Sequence, residues 1–233
     1  MEDYNKIWRE VYGDLQKHGP VHRHMRMLFL KLLSQLRYES VVDVGCGSGD
    51  NLLILSHNKK LKRLVGIDIS EEAIKNAFKK IHAEYKVLDI QKEFIYEKFD
   101  MVFCSFLIEH VEDDDSTLTN LANMCRKYLF ISTIQGDYDA YKEWEEKMGH
   151  VRNYRVGELE EKLKQRGFRI LKRIQWGFPF YSPIVRKLQL LNPNVGVGKY
   201  DMKTKAIASI LNLLYYLNSS SKGDVLVILA VKN

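Results

Sequence analysis

The 233-residue chain is 45% hydrophobic and 28% charged, with a formal net charge of +6, which excludes a disordered or fibrous chain and leaves room for one substantial core. The three cysteines, Cys46, Cys104 and Cys125, are odd in number and form no CxxC pair, which argues against a disulfide framework or a zinc site and fits a reducing, cytoplasmic compartment. The charge is uneven: residues 1–40 hold seven basic and five acidic groups, residues 41–176 twenty-two and twenty-three, and residues 177–233 seven and two.

The opening MEDYNKIWRE is acidic and mixed and does not read as a signal peptide. No apolar run reaches the roughly 20 residues that span a bilayer. Tyr4, Ile7, Trp8, Val11, Tyr12 and Leu15 recur at helical spacing. HGP (His18 to Pro20) breaks that helix, and Pro20 suits the first turn of a second one, which carries Met25, Leu28, Phe29, Leu32, Leu33 and Leu36. Residues 1–40 are therefore expected to form a helical appendage on a domain spanning 41–233. From Val41 the rhythm becomes alternating strands and helices. VVDV is a short buried strand, with a helix from about Gly49. RLVGIDIS is a second strand, and SEEAIKNAFKKI is a helix capped by Ser70 with acids in its first turn. EYKVLDI and KFDMVFCSFLI are the third and fourth strands, and a helix from near Asp114 leads into KYLFISTI, the fifth. A helix near Val156–Arg166 precedes FRILKRIQW, the sixth, and DVLVILAVKN is the seventh. Such alternation predicts an α/β fold with helices on both faces of a parallel sheet. Residues 177–222 are too many for a structureless loop. They hold an apolar helix, TKAIASILNLLYYLN, and are read as a structured insertion.

The chemistry begins at VVDVGCGSGDN. Gly45, Gly47 and Gly49 follow a strand and precede a helix, which suits a tight turn and a ligand approaching the main chain. The dinucleotide spacing GxGxxG needs glycine at position 50, where this chain has Asp50, a poor neighbour for a pyrophosphate. Asp68 ends the second strand, where an acid can accept from both ribose hydroxyls of an adenosine; the alternative is a surface carboxylate. Asp89 ends the third strand and suits an adenine amino group between Leu88 and Ile90, or an N-cap of the next segment.

Taken in order, VVDVGCGSGDN, GIDIS, VLDI and FDMVFCSFLIEHVED resemble the successive motifs of class I S-adenosylmethionine-dependent methyltransferases over roughly residues 41–133. The resemblance implies a Rossmann-like seven-stranded sheet, six strands parallel and the last antiparallel. It also implies S-adenosylmethionine across the carboxyl ends of strands one to four. By that likeness Asp43, Gly45, Cys46, Gly47 and Gly49 lie near the methionine part, and Asp68 and Ile69 at the ribose. Asp89 and Ile90 would hold the adenine, while Cys104, Ser105 and Phe106 would border the sulfonium. GHVRNYRVGELEEKLKQRGFRI and WGFP resemble a bacterial subset with a GHxRxY element. HGPVHRHMR resembles a GPxxR segment in which Arg23 would meet the cofactor carboxylate.

For a hydroxyl acceptor the protein must also remove a proton. His150 is the candidate base, with Arg152 and Tyr154 as candidate acceptor ligands; packing and capping roles are the alternative. His110 reads as structural, and His18, His22 and His24 resemble a metal cluster only superficially, so no metal is expected. CSFL stands where base-modifying enzymes carry [ND]PP[YF], and no Pro-Cys pair is present, so nucleic acid is disfavoured. A small-molecule or lipid-linked acceptor, methylated on oxygen, is the expectation. The basic insertion 177–222 is expected to roof the acceptor and touch the inner membrane surface as a peripheral contact. A homodimer interface or added core is the rival use. A non-catalytic S-adenosylmethionine-binding scaffold is the rival function, and an NAD enzyme a third.

Overall fold

A computed structural model describes residues 11, 12, 14–192 and 196–233 of the chain; most of the expected first helix, with Tyr4, Ile7 and Trp8, lies outside them. Seven strands form one sheet: β1 Ser40–Val44, β2 Arg63–Asp68, β3 Glu84–Val87, β4 Phe99–Ser105, β5 Cys125–Ile134, β6 Phe168–Trp176 and β7 Val225–Lys232. Their spatial order is β3-β2-β1-β4-β5-β7-β6. β1 pairs in parallel with both β2 and β4, through Val42↔Val65 and Val42↔Val102. β7 runs antiparallel to β5 and β6, through Ile131↔Ile228 and Ile174↔Val227. The expected fold is therefore the observed one, with its last strand reversed. The chain crosses from one half of the sheet to the other between β1 and β4, and such switch points open a crevice at the carboxyl ends of the strands.

Nine helices among the described residues flank the sheet: α1 Leu15–His18, α2 Pro20–Leu33, α3 Asp50–Leu55, α4 Glu71–Phe78, α5 Asp114–Met124, α6 Lys142–Lys147, α7 Glu158–Gln165, α8 Arg186–Leu191 and α9 Met202–Leu214. The Ser70 hydroxyl accepts from Ala73 N–H at the start of α4, as expected, and Asp113 accepts from Ser116 N–H at the start of α5. The period of two along each strand divides the core. Val42, Val44, Val102 and Cys104 pack on one face with Leu118 and Leu121 of α5 and Leu159 and Leu163 of α7. Val41, Met101, Phe103 and Phe130 pack on the other with Leu52 and Leu55 of α3.

On that second face α2 inserts Met25, Phe29 and Leu33. The Phe29 ring meets Phe103 and Phe130 edge-on at 5.5 and 4.9 Å between centroids. Burying such a side chain contributes roughly 1.5–3 kcal/mol. Thus α2 is a core layer, and residue 40 marks no break in packing. The third strand is shorter than expected, ending at Val87, so Leu88, Asp89 and Ile90 lie in the turn that follows. In the insertion an irregular helical turn, Phe180–Val185, leads into α8, and α9 closes with a turn over Tyr215–Leu217. The N-terminal segment is stitched to this insertion: Asp14 N–H donates to Gly198 O, Gly198 N–H to Val11 O, and Tyr200 N–H to Asp14 Oδ2.

Candidate active site

After Val44 the chain must leave the sheet without covering its edge. Gly45 and Cys46 N–H both donate to Ile67 O, at 2.8 and 2.9 Å, and Gly47 N–H donates to Asp68 Oδ2 at 2.9 Å. Gly45, Gly47 and Gly49 have φ of 75°, 53° and 82°, the left-handed region that disfavours side chains. A Cβ on Gly45 would stand 3.1 Å from the Leu107 side chain, and one on Gly49 3.1 Å from Ala77. The loop therefore depends on glycine both for its turn and for its space.

A cavity of about 330 Å³ lies against this loop and the carboxyl ends of β1, β2 and β4. Gly45, Asp68, Ile69, Asp89, Ile90, Phe106 and His150 of the expected site line it, together with Leu88, Glu109 and His110. Asp68 Oδ1 also accepts from Ser70 N–H at 2.9 Å. Burial pushes its carboxyl up to about 6 against the pull of the Ser70, Gly47 and Ile69 amides. Asp89 Oδ1 accepts from the Gln91 amide at 3.1 Å and Oδ2 pairs with Lys92 at 2.8 Å, while Leu88 and Ile90 are buried on either side. Burial works to raise the Asp89 carboxyl, but Lys92 and Gln91 outweigh it and hold it low.

The remaining expected residues are placed differently. Asp43 is fully buried, and its two carboxylate oxygens have no hydrogen-bond partner among the described residues. Burial and then Asp68 push it well above the usual carboxylate range. Cys104 is sealed in the core behind the cavity. Cys46, Ser105 and Phe106 line a narrow cleft beside the cavity, with Gly45, Asp50 and Asn51. Ser105 Oγ lies 2.8 Å from Ser132 Oγ, and Phe106 adopts a left-handed φ of 53° where the chain leaves β4, a strained position for an aromatic residue.

Arg23 does not reach the glycine loop; its Nη1 donates to Ser209 Oγ on α9 at 3.2 Å. His22 and Arg26, one turn apart on α2, face the cleft instead, and Arg26 Nη1 donates to Gln16 O at 2.7 Å. Arg152 and Tyr154 do not line the cavity. Arg152 donates to the carbonyls of Val111 and Glu112, and Tyr154 is fully buried with its hydroxyl on Asp114 Oδ2 at 2.8 Å. Both hold loops in place, because the backbone after His150 turns their side chains away from the space that His150 enters.

His150 lies within a buried cluster that sequence reasoning missed. Its Nδ1 is 2.5 Å from Glu145 Oε2, and Glu145 Oε1 accepts from Arg186 Nη2 at 2.6 Å and Asn153 Nδ2 at 3.0 Å. Burial tends to raise Glu145, but His150, Arg186 and Asn153 hold it down at about 2. Glu109 is fully buried. Its Oε2 accepts from Thr133 Oγ1 at 2.8 Å, and its Oε1 has no partner among the described residues. Burial pushes Glu109 up to about 7, with nearby His150 pulling it down. His110 Nδ1 is 2.9 Å from Gly149 O, and burial with His150 pushes its imidazole down to about 3. One donor atom each from Glu109, His110 and His150 falls within 4.8 Å of the others. Such a group can share a proton or hold a cation. The adjacent Glu109 and His110 in the turn beyond β4 were the available signal, but sequence alone does not say that they face inward.

A family model described as a methyltransferase domain matches residues 17–173. A ubiquinone biosynthesis O-methyltransferase of Coxiella burnetii is 32% identical over 153 residues, 60% of this chain and 64% of that protein. One from Hydrogenovibrio crunogenus is 25% identical over 158 residues, 60% of this chain and 62% of that protein. The match thus spans less than two thirds of those relatives' own length. Among solved structures, magnesium protoporphyrin IX methyltransferase from Synechocystis with bound S-adenosylhomocysteine superposes with a TM-score of 0.63 at 17% identity, covering 98% of this chain and 93% of that one. A Haemonchus contortus phosphoethanolamine N-methyltransferase with S-adenosylmethionine gives 0.63 at 18%, covering 89% and 52%. At these identities the likeness is one of fold.

Proposed function

Because the chain belongs to the methyltransferase domain family, we propose that it moves a methyl group from S-adenosylmethionine to a hydroxyl of a small or lipid-linked, largely apolar acceptor. The residues fit that cofactor. The glycine loop leaves room that a Cβ would fill, Asp68 lines the cavity with acceptor capacity to spare, and Leu88 and Ile90 form an apolar slot beside Asp89. His22 and Arg26 supply polar groups at the cleft, where a methionine carboxylate would lie. When bound, the cofactor supplies an activated methyl on its sulfonium.

The observation that carries the reading is the buried cluster of Glu109 and His150 in the wall of the cavity, beside apolar residues such as Trp144, Met148 and Val185. Glu145 accepts a hydrogen bond from His150 Nδ1–H, which leaves the Nε2 lone pair to take the proton of an acceptor hydroxyl. Trp144, Met148, Val185, Ile207 and Leu211 line the acceptor side; they exclude water and suit an apolar body. No helix among the described residues is long and apolar enough to cross a membrane. However, Ile210, Leu213 and Leu217, at helical spacing along α9 and its closing turn, are 62–70% exposed, with Lys203 two turns earlier on the same stripe. That surface suits peripheral contact with an anionic bilayer from which a lipid-linked acceptor enters; pairing with a second copy is the competing use.

The test is calorimetric titration with S-adenosylhomocysteine, followed by methyl transfer to a panel of phenols with short and long apolar tails. Absence of cofactor binding sinks the enzyme reading; binding without transfer across the panel turns it toward a non-catalytic scaffold. A second reading rests on Glu109 Oε1, which has no partner among the described residues: the same cluster would hold a divalent cation against the acceptor oxygen. Loss of transfer on chelation, reversed by magnesium or zinc, would favour it over proton transfer alone.

A further inference from the structure

Arg186 sits in the first turn of α8, within the insertion, yet it is 1% exposed. Its guanidinium lies 3.9 Å from the ring centre of Tyr141 and 5.2 Å from that of Trp144, with Nε 3.4 Å from Asp224 Oδ2. Among the described residues Nη1 has no hydrogen-bond partner. An incompletely satisfied buried cation is a costly element, and fixing one particular geometry is a recognised reason to keep one.

The contact it makes is informative. Arg186 Nη2 donates to one oxygen of Glu145 and His150 Nδ1 donates to the other, at 2.6 and 2.5 Å. One carboxylate thus bridges the insertion and the imidazole that faces the cavity. Glu145 sits on α6, a six-residue helix too short to be rigid alone. Meanwhile Tyr181, Val185 and Gln189, flanking Arg186, line the same cavity. An acceptor filling the chamber would therefore press on the segment that carries the guanidinium.

We propose that Arg186 is a positioning residue that couples seating of α8 to the orientation of His150. With α8 seated, Glu145 is clamped and holds His150 as its Nδ1–H tautomer, with Nε2 toward Glu109 and His110. With α8 displaced, Glu145 loses its cation and the imidazole is released. The consequence for methyl transfer rests on the function proposed above; the coupling itself does not.

The test uses the full chain with S-adenosylhomocysteine bound and its histidines labelled with ¹⁵N, the His150 signals being assigned by difference with His150→Gln. The wild type is expected to show one fixed Nδ1–H tautomer. Arg186→Met is expected to show a tautomer mixture and to lower kcat by about 10–100-fold, as loss of an outer-shell orienting group does. Its affinity for S-adenosylhomocysteine should be unchanged, and Arg186→Lys should regain most of the fixed tautomer and of the turnover. A wild-type tautomer in Arg186→Met overturns the proposal and leaves methylation untouched. A released imidazole with unchanged turnover removes His150 from the reaction but leaves the coupling standing. Should Arg186→Met not fold, Glu145→Gln probes the bridge from its centre. Faster hydrogen exchange of the α8 amides supports the coupling, and unchanged protection there overturns it.

Discussion

Substituting Asp68 by Asn keeps the shape of the side chain and removes only its charge and one acceptor. In the structure each carboxylate oxygen already accepts one backbone amide, from Gly47 and Ser70, both at 2.9 Å. The acceptor capacity that remains is what the ribose hydroxyls would use. The amide turns one of these acceptors into a donor. A hydrogen bond to a charged partner is worth about 1.5–3 kcal/mol, so S-adenosylhomocysteine should bind about 10–150-fold more weakly to Asp68→Asn. The pH dependence follows with a definite sign. Burial lifts Asp68 to about 6, so the carboxylate is present above that value and lost as the pH falls through it. If only the carboxylate binds, wild-type affinity should fall about tenfold, or ~1.4 kcal/mol, between about pH 7.5 and 5. In Asp68→Asn that portion of the slope should vanish. Titration calorimetry at three pH values measures both quantities. Affinity within threefold of wild type, or an undiminished slope in Asp68→Asn, would refute the ribose assignment.

Three further outcomes are expected. Tyr154→Phe removes the bond to Asp114 in a dry site, which should cost roughly 1–2 kcal/mol and a few degrees of Tm. Acceptor KM should stay unchanged; a raised KM at constant Tm would return Tyr154 to the acceptor site. Gly45→Ala forces φ of 75° on a side chain 3.1 Å from Leu107, so affinity for S-adenosylhomocysteine should drop, and full affinity would show that the loop tolerates a Cβ. Ile210→Glu with Leu213→Glu should abolish co-sedimentation with phosphatidylglycerol vesicles while sparing cofactor binding; retained sedimentation would place membrane contact elsewhere.

The strands were legible because their burial is periodic and continuous. FRILKRIQW occupies the range expected of it, and VVDV reads as buried because it is paired on both sides. The glycine loop and Asp68 were legible because backbone geometry and a strand end constrain them. Side-chain direction in irregular segments was not. Arg152 and Tyr154 follow His150 within four residues, yet one ties down carbonyls and the other enters the core. Arg23 and Arg26 share a helix, and packing against α9 decides which of them meets the glycine loop. His22, Arg26 and Phe29 lie at i, i+4 and i+7, a stripe that would have favoured Arg26. Glu109, Arg186 and the Glu145–His150 pair come together only through tertiary structure, so adjacent Glu109 and His110 were a signal without a direction.

The stitching of Asp14 and Val11 to Gly198 and Tyr200 also divides the site along the chain. The groups proposed for the cofactor come from His22 and Arg26 of α2 and the stretch between Gly45 and Phe106. The acceptor chamber draws its walls from the segments around Leu15 and Leu211 as well. Closure of that chamber therefore depends on segments far apart in sequence, whereas the groups proposed for the cofactor lie closer together along the chain.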